Sequence, residues 1–425
     1  MQKMNLIINK NTIGAFLSLL LYKIVLDLSY YFLISKIWAY NRLVLNFNGI
    51  KLLESFLLLS IIFALMPKSS KKLSNIMVWL LILLSYVPML TLFAFMNQPR
   101  SYMYAITGFW VLVPLLLKLP GISILSLKKS QSKIIYYSLF ISLFIVVLFL
   151  IYKYIGFSIN FDLMKVYDFR SIYVELKIPF AGYVFTWMAN IINPVFFLIF
   201  ILRKKWIFAT MVVALQILLF SVTGNKTFFF ALLYIFILIF IMTRKNSFTW
   251  MTIGLAIMIL VGMLSYWLAD NLWILNLFVR RTLFTPAQLS FFYYDFFSKN
   301  QFTFLSQHRL FRIFLDYPYH LNPAHLIADI YFNRPQMGAN NGIYADAYMN
   351  FGFIGLVLWG GFLAILLKLY NSISNNKDIK ITIAAVAMPV MSLTNSAFLT
   401  CLLTHGILLS LIVLYLLPKE RNKIM

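Results

Sequence analysis

Residues 203–246 read RKKWIFATMVVALQILLFSVTGNKTFFFALLYIFILIFIMTRKN. Two apolar runs, each of about 17 residues, are parted by one short polar turn and bracketed by arginine and lysine. At about 1.5 Å per residue, a helical run of that length crosses most of a hydrocarbon core about 30 Å thick. Barrel strands would be shorter and would alternate apolar with polar residues. The stretch therefore predicts a helical hairpin through a bilayer, with both basic ends on one side.

The same pattern extends outward along nearly the whole chain. Of its 425 residues, 62% are hydrophobic and only 11% charged, with a mean hydropathy of +0.87, whereas a soluble domain carries roughly a quarter charged residues. The prediction is an all-α polytopic membrane protein, a single membrane domain over 1–425. It has about twelve spans, near 13–35, 50–66, 74–96, 101–118, 134–152, 180–202, 206–222, 227–243, 249–269, 343–370, 380–398 and 402–418. No internal repeat, low-complexity tract or linker divides it. The first apolar stretch lacks a small-residue cleavage site, as in an uncleaved first helix. Its Lys23 and Asp27, four residues apart on one face, predict a structural ion pair or a wet groove. The single cysteine, Cys401, excludes an intrachain disulfide.

The formal charge of +24 sits in short clusters between apolar runs and forms no continuous basic face, so no nucleic-acid partner is implied. One alternate set of connections holds Lys68, Lys71 and Lys72, then Lys118, Lys128, Lys129 and Lys133, then Arg203, Lys204 and Lys205, then Arg244 and Lys245, then Lys368, Lys377 and Lys380. By the positive-inside rule that set and both termini are cytoplasmic.

Two connections on the external side are longer, about 153–180 and about 270–342. In them or at their edges lie Asp162, Asp168, Glu175, Asp270, Asp295, Asp316, Asp329 and Asp346, with His308, His320 and His325. Proton-exchanging groups concentrated at one face suit surface chemistry there, although polar residues would also collect in the only large soluble segments. Residues 271–297 are apolar and aromatic enough to lie as helices along the membrane surface.

Three constellations carry candidate chemistry. In SVTGNKT, residues 221–227, Lys226 could meet an anionic headgroup or serve only as a snorkelling anchor. Arg170, leading toward Gly182, and the adjacent Arg280 and Arg281 have the forked guanidinium suited to pyrophosphate oxygens. The arginine pair precedes FFYYDFF, residues 291–297, whose rings suit either sugar packing or an interfacial belt. In NNGIYADAYMNFGFIG, residues 340–355, Asp346 enters an apolar span, where a carboxylate costs about 2.5–3.5 kcal/mol and so should face a wet cavity or a cation. Gly352, Gly355, Gly360 and Gly361 allow close helix contact. No Walker loop, dinucleotide fingerprint, HExxH or DxD motif is present, so neither a metal nor a cofactor is expected.

With these motifs in place the chain resembles the O-antigen polymerases of the Wzy type and, more distantly, the O-antigen ligases. The turn at residues 223–226 is similar to the family's threonine-and-small-residue turn ending in a basic residue. Arg170, ahead of Gly182, is similar to the polymerases' spaced arginine-to-glycine pattern. Gly342, Gly352 and Gly355 fit the ligases' spaced glycines, but the ligase histidine falls on Asn341.

The resemblance implies a GT-C-like glycosyltransferase in the bacterial inner membrane, with a large periplasmic loop between the ninth and tenth helices. Its substrate would be an undecaprenyl-pyrophosphate-linked oligosaccharide, its surroundings membrane lipid, and its partner a polysaccharide chain-length regulator. Arg170, Lys226, Arg280, Arg281 and Asn341 would bind pyrophosphate and glycan, and Asp346, then His320 or His325, would act as base. A ligase or a lipid-linked oligosaccharide flippase is the competing expectation.

Overall fold

The computed structural model describes residues 10–124, 129–156, 173, 176, 178–308 and 311–417. It is helical, with no strand among the described residues. The helices are α1 (Lys10–Ile37), α2 (Gly49–Leu65), α3 (Leu73–Phe95), α4 (Arg100–Lys118), α5 (Lys129–Tyr154), α6 (Ala181–Leu202), α7 (Trp206–Thr223), α8 (Lys226–Met242) and α9 (Ser247–Ala269). Then come α10 (Thr285–Phe297), α11 (Pro323–Phe332), α12 (Ile343–Ser374), α13 (Ile379–Thr394) and α14 (Phe398–Leu416). Among the described residues, nine helices are long and apolar enough to cross a membrane; α8 and α13 are apolar but shorter, and α2 has 17 residues.

The core forms around α3, whose most apolar stretch is wholly buried. Its first half packs against α12 and α13, its second against α1, α2 and α10. Around this axis α1 pairs with α9, α4 with α12, and α6 with α7 and α13. Lys23 and Asp27 meet at 2.5 Å, Asp27 also accepts from Thr91 of α3 at 2.7 Å, and the Lys23 side chain is wholly buried. The pair is a structural clamp between α1 and α3.

Three prolines shape the helices in a way the apolar pattern does not reveal. Pro88, Pro194 and Pro286 each stand just past a π-helical segment, at Ile82–Tyr86, Met188–Ile192 and Leu275–Phe284 respectively. A proline ring crowds the carbonyl four residues back. Those carbonyls, of Leu84, Asn190 and Thr282, lie inside the widened turns. Wider turns of this kind recur at functional sites.

The expected helices between α9 and α12 exist, and they pack on the bundle. From Leu275 through Phe297 the chain is helical, and Leu283, Phe284, Ala287, Phe291 and Tyr293 are buried against the bundle. Enough of the aromatic run faces inward to make α10 a plug on the end of α3 and α12. α11 then covers α10 through Phe292 and Tyr331, stacked at 4.4 Å.

Candidate functional site

The α7–α8 turn is built by its own sequence. Gly224 takes a left-handed φ of 61°, which ends α7, and the Asn225 side chain accepts from the Thr227 amide at 3.1 Å, which starts α8. The Thr223 hydroxyl accepts from the Asn225 amide at 3.3 Å. Lys226 is thereby fixed in the first turn of α8, half-buried.

One turn further on, Phe230 packs against Trp273 at 6.3 Å and Phe278 at 5.9 Å. Those rings belong to the segment that carries Arg280 and Arg281. Three candidate cations from two distant parts of the sequence are thus presented by elements that touch. Arg280 donates to Asn276 at 2.8 Å and lies 5.3 Å over the ring of Trp38, at the end of α1, while Arg281 is exposed. Arg170 lies outside the described residues.

Asp346 does not meet the expectation of a wet cavity or a cation. It is 1% exposed, and four neutral donors occupy it. Oδ1 accepts from the side chains of Asn341 at 3.3 Å and Asn350 at 3.2 Å, and Oδ2 from the Trp359 indole at 2.8 Å and the Phe398 amide at 2.9 Å. The reason is a break in α12, where Phe351 and Gly352 leave helical geometry and Gly352 adopts a φ of 59°. The break turns Trp359 back toward Asp346, and the loop after α10 fills the gap: Thr303 donates to the Met349 carbonyl at 2.9 Å, and Leu305 to the Asn350 side chain at 2.7 Å. Asn341 and Asp346 are therefore brought together, as fasteners of this joint.

The candidate histidines lie elsewhere on the same loop layer. His320 is exposed, and the Nδ1 of His325, on α11, meets the Pro335 carbonyl at 2.7 Å. Among the described residues, neither has a hydrogen bond or ion pair with Asp346.

Two acidic groups with open faces sit at this end of the bundle. Glu54 of α2 receives Arg100 of α4 at 2.7 Å and Tyr104 at 3.0 Å. Asp295 receives Lys299 at 2.6 Å and Tyr331 at 2.6 Å, and its side chain is 49% exposed. Burial raises the Asp295 carboxyl, but the Lys299 ammonium and Tyr331 hydroxyl outweigh it and hold the group below its ordinary value. The Glu54 pair escaped the sequence reading because its partners lie on different helices, 46 residues apart.

Beside them runs a file of rings. Tyr102 stacks on Tyr294 at 4.5 Å, Tyr294 meets Tyr348 at 4.8 Å, and Tyr348 meets Phe353 at 5.2 Å. Tyr294 is half-buried and Phe353 is exposed, so the file opens at one end. Among the described residues, no group of three His, Cys, Asp or Glu is placed to hold a metal. Cations at the start of α8 and before α10, partly exposed carboxylates and a tyrosine file together suit an anionic ligand with a ring-bearing portion. Comparison with protein-family models, with curated proteins and with solved structures finds no match to this chain.

Proposed function

We propose that the chain polymerises lipid-linked oligosaccharide at the face bearing α10 and α11, as an O-antigen polymerase of GT-C type does in the bacterial inner membrane. Adding α2, α8 and α13 to the nine long apolar helices makes twelve spans, which returns the C-terminus to the side of the N-terminus. The clusters of lysine and arginine at the opposite face make that side cytoplasmic and the α10–α11 layer periplasmic.

The observation that carries the reading is the packing of Phe230 on Trp273 and Phe278, which couples the Lys226 turn to the Arg280 and Arg281 segment. The reaction moves a growing glycan from undecaprenyl pyrophosphate to a hydroxyl of an incoming repeat unit. Its leaving group is a pyrophosphate, and fixed cations aimed where that charge develops are the largest help a protein gives. Arg280 and Arg281 supply forked contacts and Lys226 a point charge. Asp346, with both oxygens engaged, positions the start of α12. His325 is the better proton acceptor, because it keeps an accessible side on the loop layer.

The test is the glycan ladder of a deletion strain complemented with the gene. Loss of a polymerase leaves lipid A-core carrying a single repeat unit, and complementation restores long chains. Loss of a ligase leaves none. A flippase reading draws on the broken helices, at Gly352 in α12 and at residues 404–406 in α14, since interrupted helices mark many transporters. That reading predicts repeat units trapped on the inner leaflet.

A further inference from the structure

The face of the bundle opposite α10 and α11 holds a cleft of about 420 Å³. Lys71 and Lys72 reach it from the α2–α3 connection, Lys368 from the last turns of α12, and Lys377 from the link to α13. Ser372 and Asn376 add neutral polar groups, and no acidic residue is among the described residues that line it. Asp378, the nearest carboxylate in sequence, is engaged as the cap of α13, accepting from the Lys380 amide at 2.8 Å.

The walls are locked together. Asn371 of α12 accepts from the Ser74 amide at 2.9 Å and donates to the Ser74 hydroxyl at 2.7 Å, which fixes α12 against the start of α3. Lys377 donates to the final carbonyls of α14, at Leu414 and Tyr415. Lys71, Lys72, Lys368 and Lys377 thus line one cleft from three segments. Orienting a membrane protein needs basic residues only on the correct side, not converged from three segments upon a shared cavity. Leu73, Leu117 and Leu119 form an apolar wall, and Leu119 is 55% exposed, so the cleft runs out onto the bundle's apolar surface.

We propose that this cleft binds a phosphate-bearing anion, with Lys71, Lys72 and Lys368 as its ligands and the apolar wall receiving whatever is esterified to the phosphate. Lysine suits the role as a point charge on a phosphate oxygen, and basic pockets between spans are a known mode of acidic-lipid recognition. The phosphate comes either from an acidic membrane lipid or from a soluble phosphate ester, and the probes separate the two. This site is independent of the proposed polymerisation.

The experiment is native mass spectrometry of the delipidated full-length protein, titrated with phosphatidylglycerol, with zwitterionic phosphatidylethanolamine, and with inorganic pyrophosphate. The Lys72→Gln/Lys368→Gln double variant should bind phosphatidylglycerol at least about tenfold more weakly than the wild type. Lys72→Arg/Lys368→Arg should keep most of the binding. Lys204→Gln/Lys245→Gln, which removes two charges from the same face outside the cleft, should stay within about twofold of wild type. Preference for phosphatidylglycerol over phosphatidylethanolamine assigns the phosphate to lipid. Binding of pyrophosphate alone, lost in the cleft variant, assigns it to a soluble ester. Binding of neither probe, or equal losses in the cleft and control variants, would overturn the proposal.

Discussion

The indole nitrogen of Trp359 donates to Oδ2 of Asp346 at 2.8 Å, thirteen residues back along the same chain and across the break at Gly352. An unbroken helix would set residues so far apart well beyond reach. The bond therefore exists only because α12 folds back on itself. The Phe398 amide on the same oxygen ties that fold to the start of α14. Asp346 is the knot where two broken helices are joined.

Substitution at Asp346 should accordingly register in stability before activity. Asp346→Ala leaves the Trp359 and Phe398 N–H groups buried and unpaired, each costing about 1–3 kcal/mol. Asp346→Asn keeps one acceptor for that pair. Its new amide must then face Asn350, whose own amide cannot turn without giving up Thr303 and Leu305. The Asn variant should fall between wild type and Ala in thermal unfolding of detergent-purified protein. An Asn variant with full thermal stability and no polymer would instead restore Asp346 as a proton acceptor.

Gly355 and Gly361 form a matched pair for testing the same joint. A Cβ on Gly355 would meet the Ala347 carbonyl, whereas one on Gly361 would meet nothing within 4 Å. Gly355→Ala should destabilise by about 1–3 kcal/mol, while Gly361→Ala should be neutral or up to about 1 kcal/mol stabilising. Unfolding midpoints of the two variants measured side by side decide it, and equal midpoints would mean the break in α12 is not as described.

Lys23 and Asp27 should behave as one unit. Asp27→Leu alone leaves an ammonium buried among apolar side chains and should cost about 3–5 kcal/mol, whereas Lys23→Met/Asp27→Leu should recover most of it. Additive single-site losses in a double-mutant cycle would show that the two residues do not act together.

Much of the bundle was legible because a 17-residue apolar run between basic clusters has few alternatives to a helix across a bilayer. The turn at Lys226 was legible too, since Gly followed by Asn stops one helix and starts the next. The environment of Asp346 was not. Its partners lie 5 residues before it, 4 and 13 after it, and 52 away, and the farther two are delivered by a helix break that hydropathy does not register. The same holds for the π-helical segments before Pro88, Pro194 and Pro286, and for the Arg100–Glu54 pair, which is written only in the packing of α2 against α4.

His308 should make the loop after α10 sensitive to acid. Among the described residues its Nε2 is buried without a hydrogen-bond partner, and burial lowers its affinity for a proton below that of an ordinary histidine. A folded value below the unfolded one, about 6.5, gives stability that is complete above that pH and is lost as pH falls through the folded value. Hydrogen exchange at residues 302–308, corrected for its intrinsic pH dependence, should therefore be faster at pH 5.5 than at pH 7.5. His308→Gln should remove the difference. An unchanged exchange pattern in the wild type would sink the idea.

Lys226 is where anchoring and chemistry separate. Its backbone is held by Gly224 and Asn225, so truncating the side chain should leave the turn and the protein level intact. An anchor acts by depth alone, and the exposed Phe229 still sets depth in its absence. A ligand for developing pyrophosphate charge acts on the reaction, and losing one such preorganised group costs about a hundred- to a thousandfold in rate. Lys226→Ala should therefore abolish long chains at unchanged abundance, and Lys226→Arg should keep part of the polymer because the charge survives in altered geometry. Phe230→Ala supplies the link to the arginine segment. If Lys226 works with Arg280 and Arg281, loosening the Phe230 contact with Trp273 and Phe278 should shorten the ladder although Phe230 bears no charge. A normal ladder from Lys226→Ala would return the lysine to the role of anchor and remove the main support for placing the reaction at this face.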